Sequence, residues 1–276
     1  MVNQILIILQ MKMNKNIFGT QEWAAQTENI INGCSNNCKY CYAKEIAIRF
    51  KRKTTNSWSE EELNFKKLNR NILKRTDGTI MFPSTHDITP DNLSYSIFFL
   101  KKLLNEGNKV LIVSKPHFEV IQSLCNEFQD YKKNILFRFT IGSMDSEVLK
   151  FWELNAPDYE ERKKSLIHAY NNGFATSVSC EPMLDNNTLE LVKDLEAYVT
   201  DSIWIGKANF LSKRLKMNGF NDTETIENAN ELLSFQSDNN IRILYGLLCN
   251  NPKIKWKESI KKVLNLEIST IKGLDK

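Results

Sequence analysis

Three cysteines lie close together in the segment NGCSNNCKYCYA, residues 32–43, at Cys34, Cys38 and Cys41. Thiolates are the soft ligands that hold zinc ions and iron–sulfur clusters, and closed sites of either kind usually take four protein ligands. This segment offers three. Three thiolates cover three corners of a [4Fe–4S] cube and leave the fourth iron open to a small molecule. The trio therefore predicts a cluster that does chemistry on a bound ligand.

A structural zinc site is the alternative for the same cysteines. It needs a fourth ligand, and the three histidines, His86, His117 and His168, show no zinc-like spacing to the trio. His86 is the candidate fourth ligand, since it follows a predicted strand at the edge where the cysteines are expected.

The composition is that of a globular protein of 276 residues, with 42% hydrophobic and 25% charged residues. Six cysteines are too few for a disulfide scaffold, and their clustering favours metal chemistry in a reducing compartment. The apolar run near the N-terminus lacks the basic region and cleavage site of a signal peptide and is too short to span a bilayer. We expect a cytoplasmic protein without a membrane segment.

Apolar runs alternate with amphipathic stretches from about residue 28 onward. A first strand is predicted at 28–32, and further strands at 79–84, 109–114, 134–141, 175–180, 202–206 and 241–248. Helices are predicted at 89–107, 116–129, 157–173, 186–198 and 223–235. Repeated strand–helix–strand units imply right-handed crossovers and a parallel sheet.

This order predicts an α/β fold, a partial (β/α)6 TIM-like barrel of parallel strands with a C-terminal helical extension. We expect an N-terminal extension at 1–27, the barrel at 28–250, and a basic C-terminal helix and tail at 251–276. Polar residues follow the predicted strands at 84–87, 114–115, 140–143, 180–181 and 207–209. Because active sites of parallel barrels lie at the carboxyl ends of the strands, these residues and the cysteines indicate one shared site.

The pattern Cys34-x3-Cys38-x2-Cys41, followed by Tyr42, resembles the signature of radical S-adenosylmethionine enzymes. The segments STHDI, LIVSKP, FRFTIGS and SVSCEPM extend the similarity, over most of residues 28–210, to the spore photoproduct lyase and DNA-repair-photolyase-like branch. The resemblance implies a [4Fe–4S] cluster whose open iron binds S-adenosylmethionine. It also implies reductive cleavage of that cofactor, hydrogen abstraction from a substrate, and a reductant such as flavodoxin or ferredoxin.

The resemblance also implies roles for single residues. Tyr42 would pack near the cluster and the adenine, Lys115 would bind the cofactor carboxylate, and Thr140 would contact the cofactor. Asp87 would hold the cofactor amine or ribose, or would instead cap the following helix. Glu181 would bind the ribose or position the substrate, or would form an ion pair at the barrel mouth. The alternative for Lys115 is an ordinary solvated lysine.

One departure from the lyase concerns hydrogen donation. The lyase has a hydrogen-donating cysteine in the loop after its second strand, whereas residues 84–87 here contain no thiol. Cys180 is the candidate catalytic donor; it ends the fifth predicted strand, 175–180, when 28–32 is counted as the first. The alternative is that it is an inert buried cysteine. Cys125 and Cys249 form no Cys-x2-Cys pair, so no auxiliary cluster is predicted.

Basic segments lie outside the motifs. Residues 251–265 read as a helix with an apolar face and five lysines elsewhere, which would either track phosphates or pack on the barrel with a solvated basic side. Residues 49–56 and 207–219 add further cations around Phe210. We therefore expect a radical enzyme with a nucleic-acid substrate. The alternatives are a radical enzyme acting on a small molecule or peptide, and a non-catalytic nucleic-acid-binding module that carries zinc or a cluster.

Overall fold

The computed structural model describes residues 17–72, 74 and 77–274, so the N-terminal apolar run lies outside the described residues. Its main sheet is parallel and has the strand order β1-β4-β5-β6-β7-β8-β9. These strands are β1 Gln26–Thr27, β4 Ile80–Phe82, β5 Val110–Ser114, β6 Ile135–Thr140, β7 Ala175–Cys180, β8 Ile203–Ile205 and β9 Ile254–Trp256. A second, antiparallel pair consists of β2 Ile31–Asn32 and β3 Glu62–Leu63.

Helices connect the strands. They are α1 Tyr42–Arg49, α2 Phe65–Asn69, α3 Leu93–Asn105, α4 Phe118–Glu127, α5 Ser146–Trp152, α6 Tyr159–Asn171, α7 Thr188–Leu195, α8 Leu211–Asn218, α9 Thr223–Phe235, α10 Asp238–Leu248 and α11 Glu258–Leu264. Parallel neighbours joined by helical crossovers form an open half-barrel, so the predicted α/β partial TIM-like barrel is confirmed. In the part of the chain that the structure describes, no helix has the length and apolar character to cross a bilayer.

The predicted strand at 241–248 is wrong, because these residues lie in helix α10. Ile241 and Leu248 are buried while Ile243 and Leu247 are exposed, which is the spacing of a helix with one buried face. An apolar run of this length fits a buried strand and a helix equally well by pattern alone.

The last strand of the sheet is β9, inside the segment 251–265 that was predicted to be wholly helical. That prediction is wrong for residues 254–256 and right for the region of α11. Ile254 and Trp256 point into the core and Lys255 lies between them, the alternation of a half-buried strand.

The first barrel strand also differs from the prediction. It is β1, two residues upstream of the predicted segment 28–32, and it pairs with β4. Residues 31–32 instead form β2, which pairs with β3 beside the cysteine loop. The chain therefore leaves the barrel before the cysteines, and the small antiparallel pair supports the loop.

The core lies mainly between the sheet and the helices. Phe137 packs on Phe139 and Phe174, with ring centroids 5.7 and 5.2 Å away. The interior of the half-barrel is more polar, since the guanidinium of Arg138 lies 4.9 Å from the ring of Trp23 and 5.2 Å from the ring of Trp204. The helices thus cover an apolar face, while the concave face is free to carry polar chemistry.

A buried ion pair joins the two ends of the described chain. Lys257 Nζ lies 2.6 Å from Glu22 Oε2 and donates to the carbonyl of Gly19 at 2.8 Å. Lys257 and Lys261 are buried. Because two of its five lysines are buried, the basic segment 251–265 packs on the barrel, as one of the two alternatives predicts.

Replacing Trp256 tests the position of the last strand. Trp256→Ala is expected to lower the free energy of unfolding by about 3–5 kcal/mol, because it removes a large buried ring that packs on Tyr245. Urea denaturation measures this. The control Ile243→Ala, on the exposed face of α10, is expected to stay within about 0.5 kcal/mol of the parent. Similar effects of the two variants would contradict the placement of Trp256 in the core.

Candidate active site

The three cysteines line one cavity of about 470 Å³ at the carboxyl ends of the strands. All three are free thiols; Cys34 and Cys38 are buried and Cys41 is half-buried. The same cavity is lined by the predicted cofactor residues, Tyr42, Asp87, Lys115, Thr140 and Glu181. The structure therefore brings together residues that lie as much as 147 positions apart in the sequence, from Cys34 to Glu181 (181 − 34).

A glycine sets the path of the cysteine loop. Gly33 has φ +102°, and a Cβ atom at this position would lie 2.4 Å from the carbonyl oxygen of Glu60. The next residue, Cys34, donates its backbone N–H to the carbonyl of Trp58 at 3.0 Å. Only glycine fits this left-handed turn against a neighbouring backbone, so Gly33 fixes where the loop begins.

Asp87 ties the cysteine loop to the strand ends. Its carboxylate accepts hydrogen bonds from Asn36 Nδ2 in the loop at 3.0 Å, from the N–H groups of Ile88 and Lys115 at 2.8 Å each, and from the Ser114 hydroxyl. Burial raises the pKa of Asp87, and the charge of Lys115 and the hydrogen bonds from Ser114, Lys115 and Ile88 act against that shift. The observed contacts make Asp87 an anchor of the loop, and its predicted contact with the cofactor stays a prediction.

Two further contacts fix the other end of the loop. The hydroxyl of Tyr42, the first residue of α1, donates to the carbonyl of Ser84 after β4. The buried Asn218, at the end of α8, donates to the carbonyls of Lys39 at 2.9 Å and Cys41 at 3.0 Å. The third cysteine is thus held between a strand end and a late helix.

Lys115 is not the solvated lysine of the alternative interpretation. Its side chain is 16% exposed, and its Nζ lies 3.8 Å from Glu153 Oε1. Burial alone would lower the pKa of Lys115, but Cys38, once it is ionised, and the carboxylates of Glu153 and Asp87 outweigh it, so the pKa is raised. The ammonium group therefore stays charged at the cavity wall.

A buried ion pair lies behind Lys115. Glu153 Oε2 is 2.6 Å from Arg162 Nη1, and both side chains are fully buried. Burial would raise the pKa of Glu153, yet Arg162 and Lys115 lower it below its ordinary value. Glu153 also accepts a hydrogen bond from the hydroxyl of Tyr40, and Arg162 donates a hydrogen bond to the carbonyl of Thr140 at 3.1 Å.

Sequence reasoning missed Glu153 and Arg162. Both lie in segments whose charges look like those of a solvated helix surface, and nothing in their local pattern marks them as buried. The one available signal is that Glu153 stands between Trp152 and Leu154, at the end of an apolar stretch. Only the packing of α5 and α6 against the strand ends shows their role.

Both ring nitrogens of His86 form hydrogen bonds with backbone groups. Its Nε2 accepts the N–H of Ile30 at 3.3 Å, and its Nδ1 lies 2.9 Å from the carbonyl oxygen of Asp87, to which it donates. Burial lowers the pKa of His86 to about 4, so the ring is neutral. Its two nitrogens position the loop after β4, and neither is free to bind a metal in this arrangement.

The donor set fits a cluster with one open corner. Three soft thiols share a cavity with a permanent cation, and burial raises the pKa of Cys38 to about 12, so the thiol keeps its proton until a metal displaces it. Among the described residues, no group of three or more His, Cys, Asp or Glu side chains converges as the ligands of a single metal ion.

Cys180 lies in the core and not against the cavity. It is fully buried, its Sγ is 3.9 Å from the carbonyl oxygen of Gly142, and burial raises its pKa. It is not among the described residues that line the cavity. The structure therefore offers no support for Cys180 as the hydrogen donor, and that role stays a prediction.

Glu181 lies at the opposite wall. Its Oε2 is 3.4 Å from Lys257 Nζ, so it takes part in the ion pair at the barrel mouth that the sequence left open. Burial raises the pKa of Glu181, and the charge of Lys257 acts against that shift. Its contact with cofactor or substrate stays a prediction.

Replacing Glu153 tests the buried network. Glu153→Gln leaves the Arg162 charge unpaired in the interior and is expected to cost about 3–5 kcal/mol of stability near pH 7. Because the folded pKa of Glu153 is lowered, its contribution is present above the ordinary pKa and is lost as the pH falls through the folded one. The stability gap between parent and variant should therefore narrow below about pH 4.5 in urea denaturation.

The control for this variant is Glu190→Gln, which breaks an exposed ion pair with Lys193. Exposed pairs contribute little, so this change is expected to leave the unfolding midpoint nearly unchanged. An effect of Glu153→Gln as small as that of the control would show that the buried network does not hold the site together.

Solved structures share the fold at low sequence identity. A point mutant of spore photoproduct lyase matches with a TM-score of 0.53 at 14% identity, over 88% of this chain and 79% of that chain. SuiB of Streptococcus suis bound to S-adenosylmethionine matches with a TM-score of 0.50 at 12% identity, over 96% of this chain and 57% of that chain. This chain covers 59% of the spore photoproduct lyase chain solved with a dinucleoside spore photoproduct. No curated protein matches the sequence significantly.

The family match is made by the sequence itself. The model of the radical SAM superfamily matches residues 29–199, which is more than half of the chain. This range contains the three cysteines together with Tyr42, Asp87, Lys115, Thr140 and Glu181. A [4Fe–4S] cluster and S-adenosylmethionine are the cofactors that characterise this superfamily, in agreement with the cofactors predicted from the cysteine motif. The chain belongs to the radical SAM superfamily.

Proposed function

We propose that the chain is a radical S-adenosylmethionine enzyme whose [4Fe–4S] cluster is bound by Cys34, Cys38 and Cys41. The observation that carries this proposal is that the three thiols and the cationic Lys115 line one cavity at the carboxyl ends of parallel strands. When bound and reduced by an external electron donor, the cluster would supply the electron for reductive cleavage of S-adenosylmethionine, and the reaction class would be hydrogen abstraction from a substrate.

The residues of the chain bind and orient the cofactor in this proposal. Lys115 would present its ammonium to the cofactor carboxylate, since Glu153, itself paired with Arg162, lies 3.8 Å from its Nζ. Thr140 would offer a hydroxyl at the end of β6, Tyr42 would pack beside the adenine, and the carboxylate of Glu181 would bind the ribose or position the substrate. Flavodoxin or ferredoxin is the proposed reductant.

Nucleic acid is the proposed substrate, supported by the basic segments 49–56 and 207–219, which contain Arg49, Lys213 and Arg214 near the cavity. A peptide substrate is the second candidate, because SuiB, which shares the fold, has been solved bound to the precursor peptide SuiA. Labelled-hydrogen transfer from candidate substrates into 5′-deoxyadenosine distinguishes the two.

Replacing one cysteine of the trio tests the cluster. After anaerobic reconstitution, Cys38→Ser is expected to lose bound iron, visible absorption and cleavage of S-adenosylmethionine under dithionite, because a hydroxyl is a poor ligand for iron of a cluster. Cys249→Ser, which changes an exposed cysteine outside the cavity, is the control and should behave like the parent. If the parent protein itself is colourless after reconstitution, holds zinc and binds nucleic acid, the result would instead indicate a non-catalytic module.

Replacing Lys115 tests the cofactor carboxylate contact. Lys115→Gln is expected to weaken binding of S-adenosylmethionine by about 10- to 100-fold, as loss of a hydrogen bond to a charged group does. Equilibrium dialysis with the reconstituted protein measures this, and the iron content reports that the site is intact. Lys193→Gln, on the exposed surface, is the control. Unchanged affinity in Lys115→Gln would remove the residue from the cofactor site.

A further inference from the structure

An exposed aromatic ring stands at the wall of the cavity. Phe210 lines the same cavity as Cys41 and Tyr42, yet it is 74% exposed. Its backbone is left-handed, with φ 55° and ψ 32°, a conformation that is uncommon for a bulky residue. Such conformations persist only where the surrounding structure imposes them, and they concentrate at binding and catalytic sites.

Hydrogen bonds hold the residues just before Phe210 in place. The side chain of Gln236, 2% exposed, accepts the N–H of Ala208 and donates to the carbonyl of Met183, both at 2.7 Å. The hydroxyl of Ser259 accepts the N–H of Lys207 at 3.1 Å. The residues just before Phe210 are therefore fastened to two other elements, and the ring is held out towards the cavity mouth.

A cation lies one helical turn further on. Arg214 lines the cavity, and its guanidinium carbon is 5.9 Å from the rings of both Phe210 and Tyr42. Its Nε is buried and has no hydrogen-bond partner within the described residues. The nearby carboxylate of Glu45 lies instead 3.3 Å from Lys213 and 3.8 Å from Arg49. Arg214 thus presents an unused donor beside an exposed ring.

The fold places further cations around this pair. Helices α1 and α8 pack side by side, so the two basic segments of the sequence form one surface. We call it the α1–α8 surface; its exposed members are Arg49, Phe50, Lys51, Arg52, Phe210, Lys213 and Lys216. Glu45 is a carboxylate beneath it and already has two cationic neighbours. The surface carries a net positive charge and two exposed aromatic rings.

We propose that Phe210 and Arg214 form a subsite for one nucleotide of a single-stranded nucleic acid, with the base stacked on Phe210 and its phosphate bound by Arg214. The neighbouring phosphates would lie along the cations of the α1–α8 surface. Cationic grooves with stacking aromatic residues bind single strands in this way, and the planar guanidinium suits a phosphate. The inference rests on the proposed function only in taking the cavity as the reaction site.

The test measures binding of a fluorescently labelled single-stranded oligothymidylate to the reconstituted protein by anisotropy. Phe210→Ala is expected to weaken binding about tenfold, since stacking on one ring is lost, while Phe210→Trp should retain it. Arg214→Gln is expected to weaken binding and to lower the slope of log affinity against log salt by about one. Phe98→Ala and Lys193→Gln, an exposed ring and an exposed cation outside the cavity lining, are the controls and should bind like the parent.

Several results would overturn the subsite. Parent-like binding by Phe210→Ala and Arg214→Gln would do so, as would equal losses in the two controls. Tighter binding of an acidic peptide that also depends on Phe210 would overturn the nucleotide assignment. Cleavage of S-adenosylmethionine is measured in the same preparations. Binding that depends on Phe210 without any cleavage of S-adenosylmethionine would contradict the proposed function and support the subsite. Cleavage of S-adenosylmethionine together with binding that does not depend on Phe210 would support the proposed function and contradict the subsite.

Discussion

The site depends on the pairing of the buried carboxylate of Glu153 with its neighbours. A charge without solvent is tolerated only where it is paired and hydrogen-bonded, and Glu153 meets this condition through Arg162, Lys115 and the hydroxyl of Tyr40. These partners belong to the cysteine loop, the end of β5 and helix α6. Through Arg162 the network also reaches the carbonyl of Thr140 at the end of β6. One carboxylate thereby sets the relative positions of the elements that line the cavity.

This network also decides which charge the cavity presents. The carboxylate of Asp87 accepts four hydrogen bonds from the protein, and that of Glu153 accepts one from Tyr40 and pairs with Arg162, so both hold the scaffold in place. Lys115 keeps its charge, since its pKa is raised despite burial. The thiol of Cys38 keeps its proton because burial raises its pKa, so metal binding has to release protons. A cation beside the protonated thiol of Cys38 is a suitable starting state for a site that gains an anionic cluster.

Local sequence patterns predicted the metal donor set and the residues at the strand ends. The cysteine spacing gives the metal donor set, and the order of strands places Lys115, Thr140 and Glu181 at one edge, because parallel strands end together. Glu153, the partner of Lys115, directly follows α5 in a segment whose charges look solvated, so only its position beside Trp152 hints at burial. Segment 241–248 was assigned wrongly because eight apolar-rich residues fit both periods. The three-residue strand β9, interrupted by Lys255, is too short to be recognised without its neighbours.

The two walls of the cavity come from different parts of the chain: one lies within the range matched by the superfamily and the other lies beyond it. This difference bears on the substrate. The wall of strand ends that carries the cysteines, Lys115 and Thr140 lies within residues 29–199, the part matched by the superfamily. The wall formed by Phe210 and Arg214 lies beyond that range, where α8 packs on α1. The proposed nucleotide subsite of Phe210 and Arg214 thus uses residues beyond the matched range, whereas the proposed cofactor contacts use residues within it. Phe210, held in a left-handed conformation at the cavity mouth, is placed where a choice of substrate would be made.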